Sequence, residues 1–310
     1  MKQDLKISSV FLVMMLLVSS AFAQQEIQHT QFMWDQSSIN PAYVGFKESL
    51  SGNLFMRRQW LGLEGAPSTE NFTVHSPLAN RQLGAGLLVW HDQIGISERL
   101  AIRAQGAYNL ELSKGYLRFG LSAQLSNWSV QWTNTNPDQA GDESIPQADL
   151  SDNAFNLGFG AFYHTDRTYI GFAAPQLLEE KYEYMGDQNQ RSAQMIGAQA
   201  LFLNGGHVFA ISPKLDLKSS AMLRYISGAP LQLDLSGSIL IKNQLWTGLS
   251  YRHLDAISLS LQYLVTTELT IGYAYDWTFS QLQGNGGAHE IFIGFDLRKK
   301  KDGFYHPRFF

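Results

Sequence analysis

Side chains that could do chemistry are few in this chain, and their spacing works against them. Ser250 and His253 are the nearest local pairing for a hydroxyl nucleophile and its base. Such a pair must lie within hydrogen-bond reach, and an offset of three along a strand sends the two side chains to opposite faces. His289-Glu290 lacks the second histidine that a zinc-binding helix requires, and Gly158-x-Gly160 stands inside a strand pattern, so it is no phosphate loop. The other histidines are scattered, with His75, His164 and His253 expected at strand ends or on an inward face. Cysteine is absent, which excludes disulfides and thiolate chemistry. Neither catalysis nor a cofactor or metal is expected from this inventory.

Charge is what remains. Arg57, Arg103, Arg118, Asp216, Lys218, Arg224, Asp234, Arg252, Glu268, Asp276, Glu290 and Asp296 fall mostly on one parity of the alternating segments. Both signs are mixed, which favours a salt-bridge network filling an enclosed space. A pore lining, or a docking surface for an N-terminal plug, is the sharper alternative. A net charge of -4 offers no footprint for nucleic acid.

The elements that carry these charges alternate strictly. Between Pro230 and Leu297 the apolar set Leu231, Leu233, Leu235, Ile239, Ile241 is interleaved with Gln232, Asp234, Ser236 and Ser238. The same pattern recurs over Leu245–Arg252, Ile257–Tyr263, Leu269–Trp277 and Ile291–Leu297. A period of two puts one set on each face of a strand. Segments of about ten residues suit tilted strands that cross a bilayer. Earlier candidates run over Leu50–Trp60, Glu70–Leu78, Leu83–Trp90, Leu100–Leu112, Leu117–Leu125, Phe155–Tyr163, Tyr169–Ala173, Met195–Ile211 and Leu215–Ile226. The expected fold is all-β: a transmembrane antiparallel β-barrel of roughly fourteen strands over residues 49–298. Only 16% of the residues are charged, against 13% aromatic and 27 glycines, which suits an apolar outer wall in contact with outer-membrane lipid, interface girdles and tight turns.

The ends are read differently. Lys2 and Lys6, the apolar run Val10–Val18 and the exit Ala21-Phe22-Ala23 form a Sec-type signal peptide over residues 1–23. Residues 24–48 do not alternate. Their Phe32, Met33, Trp34 and the run Asn40-Pro41-Ala42-Tyr43-Val44-Gly45 are too apolar for a disordered lead-in, so this segment is expected to tuck into the lumen or across the periplasmic mouth. Two polar stretches, Thr133–Asn153 and Pro175–Arg191, are expected as outer loops. The tail, residues 299–310, joins Lys299–Lys301 to the apolar Phe304-Tyr305 and to Pro307-Arg308-Phe309-Phe310, a combination that suits contact with a periplasmic partner.

At several of these positions the chain resembles the PorP/SprF outer-membrane proteins of type IX secretion and gliding motility. The resemblance is carried by Gln31-Phe32, by Ile39–Gly45, by Arg57-x-Gln59-Trp60-x-Gly62 and Gly65-Ala66-Pro67. It continues through His75–Leu78, Gly84-x-Gly86, Asp92-x-Ile94-Gly95, Gly228–Asp234, Gly248–Arg252, Gly272-Tyr273-x-Tyr275-Asp276, His289-Glu290 and Pro307–Phe310. Met56 and Arg58 stand where the family tends to have Tyr and Asn. The resemblance implies a non-enzymatic barrel acting with the secretion apparatus. Its implied partners are a secreted surface adhesin, periplasmic secretion-ring proteins and a peptidoglycan-binding lipoprotein. Asn40, Pro41, Tyr43, Gly45, Arg57 and Trp60 are then expected to fix the plug, and Pro307, Arg308, Phe309 and Phe310 to dock machinery. A diffusion or hydrophobic-solute channel is the competing expectation.

Overall fold

The computed structural model describes residues 29–47, 49–78, 82–135, 148–185, 191–197, 199–279 and 286–297. The expected signal peptide and the tail with Pro307–Phe310 lie outside them. The described strands are β1 (Leu50–Gln59), β2 (Ser68–Pro77), β3 (Leu83–Ile94), β4 (Ser97–Glu111), β5 (Tyr116–Val130), β6 (Leu150–His164), β7 (Thr168–Gln176), β8 (Glu180–Met185), β9 (Arg191–Gly197), β10 (Ala200–Ser212), β11 (Leu215–Ile226), β12 (Gln232–Ile241), β13 (Leu245–Arg252), β14 (Ala256–Leu264), β15 (Leu269–Thr278) and β16 (Ala288–Leu297). Fourteen of them close into one antiparallel barrel, with β1 paired to both β2 and β16. Strands β8 and β9 form a separate two-stranded hairpin between β7 and β10.

Burial is inverted relative to a water-soluble protein. Leu121 and Leu125 on β5 are 67% and 66% exposed, whereas Gln124 between them is 1% exposed. The same inversion runs through β4, β12 and β14. Apolar residues facing outward and polar residues facing inward are what a hydrocarbon surround selects, and closure leaves no strand edge unsatisfied in lipid. Exposed Tyr108, Tyr116 and Tyr263 ring one end, and Tyr225, Tyr251 and Trp277 the other, as aromatic side chains do at membrane interfaces.

Leu50 pairs with Leu297, so the barrel starts and ends at one rim. The connections at that rim are short, such as 112–115 and 242–244, and the long ones, including the β5–β6 and β7–β10 connections, lie at the other. Short turns face the periplasm in bacterial barrels and long loops face outside, which places the terminal rim in the periplasm.

Several boundaries differ from the alternation. Met195–Ile211 is not one strand: Met195 belongs to β9 and the barrel strand begins at Ala200. Gly205 and Gly206 do not break it, because both pair with β7 and β11. The stretch read as a loop from Pro175 contains the end of β7 and all of β8, and the Thr133–Asn153 stretch contains the start of β6. Strands β3 to β6 extend past the apolar pattern because their outer ends leave the hydrocarbon while their backbone ladder continues. Glu268 is exposed in the β14–β15 turn rather than facing inward.

Candidate functional site

The site is the lumen, and it is filled from residues 29–47. Three single 3-10 turns, Phe32–Trp34, Gln36–Ser38 and Pro41–Tyr43, fold this segment, and nearly all of it is buried. Asn40 caps the third turn by accepting from Ala42 N at 2.9 Å, and Pro41 at the first helical position needs no donor. The barrel's apolar core is made with this segment. Phe32, Met33, Trp34 and Ile39 cluster with Phe55, Phe202, Met222, Leu240, Trp246 and Phe292. Ala42, Tyr43 and Phe46 cluster with Phe162, Tyr169 and Val208.

The wall holds the segment by its backbone. Arg118 donates to Ala42 O at 2.9 Å and Val44 O at 2.6 Å, Arg103 to Ser38 O at 3.1 Å, and Lys218 to Met33 O at 3.1 Å. Lys218 Nζ also sits 4.1 Å from the Trp34 ring centroid. In return, Asn40 Nδ2 donates to the wall carbonyls of Ala161 and Phe172, and Gly45 N donates to His75 Nδ1 at 3.2 Å. Asn204 Nδ2 donates to Gln36 Oε1.

Close approach requires a wall without side chains at the right places. A Cβ on Gly120 would strike Pro41 and Ala42 backbone atoms, one on Gly160 would strike Asn40, and one on Gly84 would strike the Val44 carbonyl. These glycines lie on β3, β5 and β6 at inward positions. From sequence, Gly84 stood only within the family resemblance and Gly160 only within a rejected phosphate loop, and Gly120 between Arg118 and Ser122 drew no notice; their role as points of close approach comes from the segment laid against them.

The inward charges form a chain across the barrel seam. Arg57 Nη2 pairs with Asp276 at 2.7 Å and Arg57 Nη1 with Glu290 at 3.3 Å. Arg252 pairs with Asp234 at 2.9 Å and lies 3.7 Å from Asp276, and Arg224 pairs with Asp234 at 3.2 Å. Arginine and carboxylate alternate, so no sign dominates. Residues His29–Gln31 are stitched into this chain. Thr30 N and Gln31 N donate to the two Glu290 oxygens at 2.9 and 3.0 Å, Thr30 Oγ1 donates to Asp276, and Arg57 donates to Thr30 Oγ1 at 2.8 Å. The network and the docking surface are one structure.

Among the expected site residues, Asn40, Pro41, Tyr43 and Gly45 come together against β2, β3 and β5–β7, while Arg57 grips the other end of the segment at Thr30. Trp60 is not with them: it stands at the outer rim, opening the β1–β2 turn with a φ of 48°. Ser250 faces inward and His253 is exposed beside Tyr251, so that pair does not meet. A further group was not legible. Glu180 at the start of β8 is 2% exposed, pairs with Arg99 at 2.5 Å and accepts from Gln124 and Asn156. Through Gln124 and Arg103 it connects the outer hairpin to Ser38.

Asp35, wholly buried in the segment, has its carboxyl pushed above the ordinary value by burial, although Ser37 and Thr73 hydroxyls donate to it and His29 opposes the rise. An acid raised in the folded state contributes stability that is full below its unfolded value of about 4 and is lost as pH rises through the folded one. Asp35→Asn should therefore gain on wild type as pH increases. Urea midpoints of the refolded barrel across a pH series would show the difference widening; a difference that narrows would contradict it.

A closed antiparallel barrel with a lipid-facing apolar wall and a polar lumen is an outer-membrane β-barrel protein. The family model described as type IX secretion system membrane protein PorP/SprF matches residues 21–295, and the chain belongs to that family. No curated protein matches the chain. Among solved structures, the Ralstonia pickettii toluene transporter TbuX is similar at 10% identity, over 87% of this chain and 94% of that one, with a TM-score of 0.51. A Pseudomonas aeruginosa FadL homologue is similar at 14% identity over 84% and 93%, with a TM-score of 0.49. At such identities the likeness concerns the fold alone.

Proposed function

We propose that this outer-membrane component of type IX secretion works as a filled barrel that anchors a secreted surface adhesin or supports its export, and contacts periplasmic machinery. The carrying observation is the lumenal segment, buried and bonded to strands on opposite sides of the barrel. A wall that spends its inward arginines and a lysine on an internal segment is built to hold rather than to conduct. In this reading residues 29–47 are the plug, with Asn40–Gly45 and Arg57 fixing it. The outer face, with the β8–β9 hairpin, serves the adhesin. The tail Lys299–Phe310 meets secretion-ring proteins or a peptidoglycan-binding lipoprotein.

The test is a mild-detergent pull-down of the tagged chain from its own outer membrane, with co-purifying proteins identified by mass spectrometry. A large surface adhesin or ring and lipoprotein components are expected. Replacing Pro307–Phe310 by alanine should abolish recovery of the periplasmic components while leaving barrel in the membrane. Recovery of bare barrel that conducts ions steadily in planar bilayers would favour the channel instead.

A further inference from the structure

The lipid-facing wall carries a polar row. Thr168, His207 and Ser219 stand directly opposite one another on β7, β10 and β11, with Ile170, Leu203 and Phe209 exposed to lipid around them. His207 Nδ1 lies 2.7 Å from the Thr168 hydroxyl, and Ser219 Oγ donates to His207 O at 3.4 Å. The other ring nitrogen, Nε2, is open to the surround and has no hydrogen-bond partner among the described residues. A polar group turned toward hydrocarbon is costly, and such a residue marks a site of interaction.

Beside this row the outer wall is grooved, with a volume of about 670 Å³. The floor is Gly205, Ser219, Ala221 and Gly237, and the sides include Leu235, Leu249, Tyr251 and Ile257. An added Cβ on Gly237 would meet nothing within 4 Å. The groove crosses from β10 to β14, four strand spacings of about 4.8 Å, or roughly 19 Å. One leaflet contributes about 15 Å of hydrocarbon. The groove therefore admits an acyl chain.

His207 lies at its lower end. Directly paired residues climb the wall from Tyr163 near the periplasmic rim, through Ile170, Gly205, Ala221 and Leu235, to Tyr251 near the outer one. Tyr163 marks the periplasmic level, because its hydroxyl donates to Lys114 O in the β4–β5 turn. Two interstrand steps on strands tilted about 40° raise this row by roughly 6 Å at Gly205. Two residues back along β10 lower it again by about 5 Å. His207 is thus near the level of Tyr163, at the boundary where the ester groups of periplasmic-leaflet lipids lie.

We propose that this groove binds one phospholipid of the periplasmic leaflet. An acyl chain lies along Gly205, Ala221 and Gly237, and its ester carbonyl accepts from His207 Nε2. The Thr168 hydroxyl donates to Nδ1, which leaves the ring proton on Nε2, since a neutral imidazole has one donor and one acceptor. The bilayer is what covers this wall, so the occupant comes from it. A lipid of the outer leaflet would bring its esters to the Tyr251 end, where the hydroxyl already pairs with His253.

The experiment uses the full chain, stripped of lipid by extended washing in detergent. It is offered dioleoyl phosphatidylethanolamine or the diether analogue, which lacks the carbonyls, and bound lipid is counted by native mass spectrometry. Wild type should retain one lipid and bind the ester form about tenfold more tightly, the worth of one hydrogen bond. His207→Phe should still bind but no longer distinguish the two. Gly237→Leu, filling the groove from β12, should abolish retention of both, and Ala221→Phe gives the same reading from β11. Heat-modifiable migration on a gel confirms that each variant is a folded barrel. No retained lipid, equal retention of the two by wild type, or an ester preference that survives His207→Phe overturns the proposal. So does lipid held by both groove-filling variants. The chain taken directly from its own outer membrane should carry a phospholipid; a protein-linked diacylglycerol in its place would make a lipoprotein anchor the occupant and overturn the assignment.

Discussion

Replacing Arg57 by alanine should cost the folded barrel about 3–5 kcal/mol, the usual consequence of stranding a buried partner. Arg57 is 2% exposed and stands between Asp276 and Glu290, which are 1% and 0% exposed. Without the guanidinium, two carboxylates share a dry space, with Arg252 at 3.7 Å from Asp276 and His29 at 3.7 Å from Glu290 as the nearest remaining basic groups. Thr30 loses its Arg57 donor as well. The measurement is the urea midpoint of the refolded protein, read by heat-modifiable migration on a gel. Glu290→Gln in the Arg57→Ala background should recover part of the loss, because it removes one of the stranded charges. A midpoint unchanged by Arg57→Ala would show that the network does not hold the seam.

The second large effect is steric. Gly120→Val and Gly160→Val place side-chain atoms where Pro41, Ala42 and Asn40 now lie. At Gly120 the obstacle is backbone, which cannot swing aside, and at Gly160 it is the Pro41 ring and the Asn40 amide, which is held by Ala161 and Phe172. Overpacking a close contact costs about 1–3 kcal/mol or more, and here the segment can escape that cost by leaving. The expected result is a barrel that still assembles but whose residues 29–47 become accessible to protease, with steady ion conductance in planar bilayers that wild type lacks. Gly237→Val is the control: an added Cβ at that position meets nothing within 4 Å, and both readouts should stay at wild-type values. Protection of the segment in the Gly120 and Gly160 variants would show that the wall yields instead.

The strand count was legible in the sequence because lipid on one side and a polar lumen on the other impose opposite preferences on alternate residues. Leu231 to Ile241 could be read in no other register. Length was less legible. β5 runs on to Val130, well past the last lipid-facing leucine at Leu125, because the ladder with β4 and β6 persists where the bilayer does not. The β8–β9 hairpin was missed because pairing outside the membrane leaves no apolar parity to detect. In the lumen, Asn40–Gly45 announced itself through Pro41 and its apolar neighbours. Arg118 and Arg103 were recognised as inward charges, but what they hold of the segment are backbone carbonyls, which every residue possesses and no sequence advertises. The glycine floor and Glu180 were hidden for a related reason: each acquires meaning only from what another part of the chain places against it.

The barrel closes by pairing its first strand with its last, and Arg57 and Glu290 sit opposite each other across that pairing. The segment they clamp through Thr30 precedes β1 in the chain. Glu290 stands on the last strand, so the bonds that hold Thr30 are complete only once β16 has paired with β1. Contacts such as Thr30 with Glu290 span 260 positions, and loop-closure entropy makes such distant pairings late and slow. The grip on Thr30 is then a latch that sets only when the seam does, because its two jaws, Arg57 and Glu290, arrive on the first and last strands. For this chain, closing the seam and latching the segment at Thr30 are a single event.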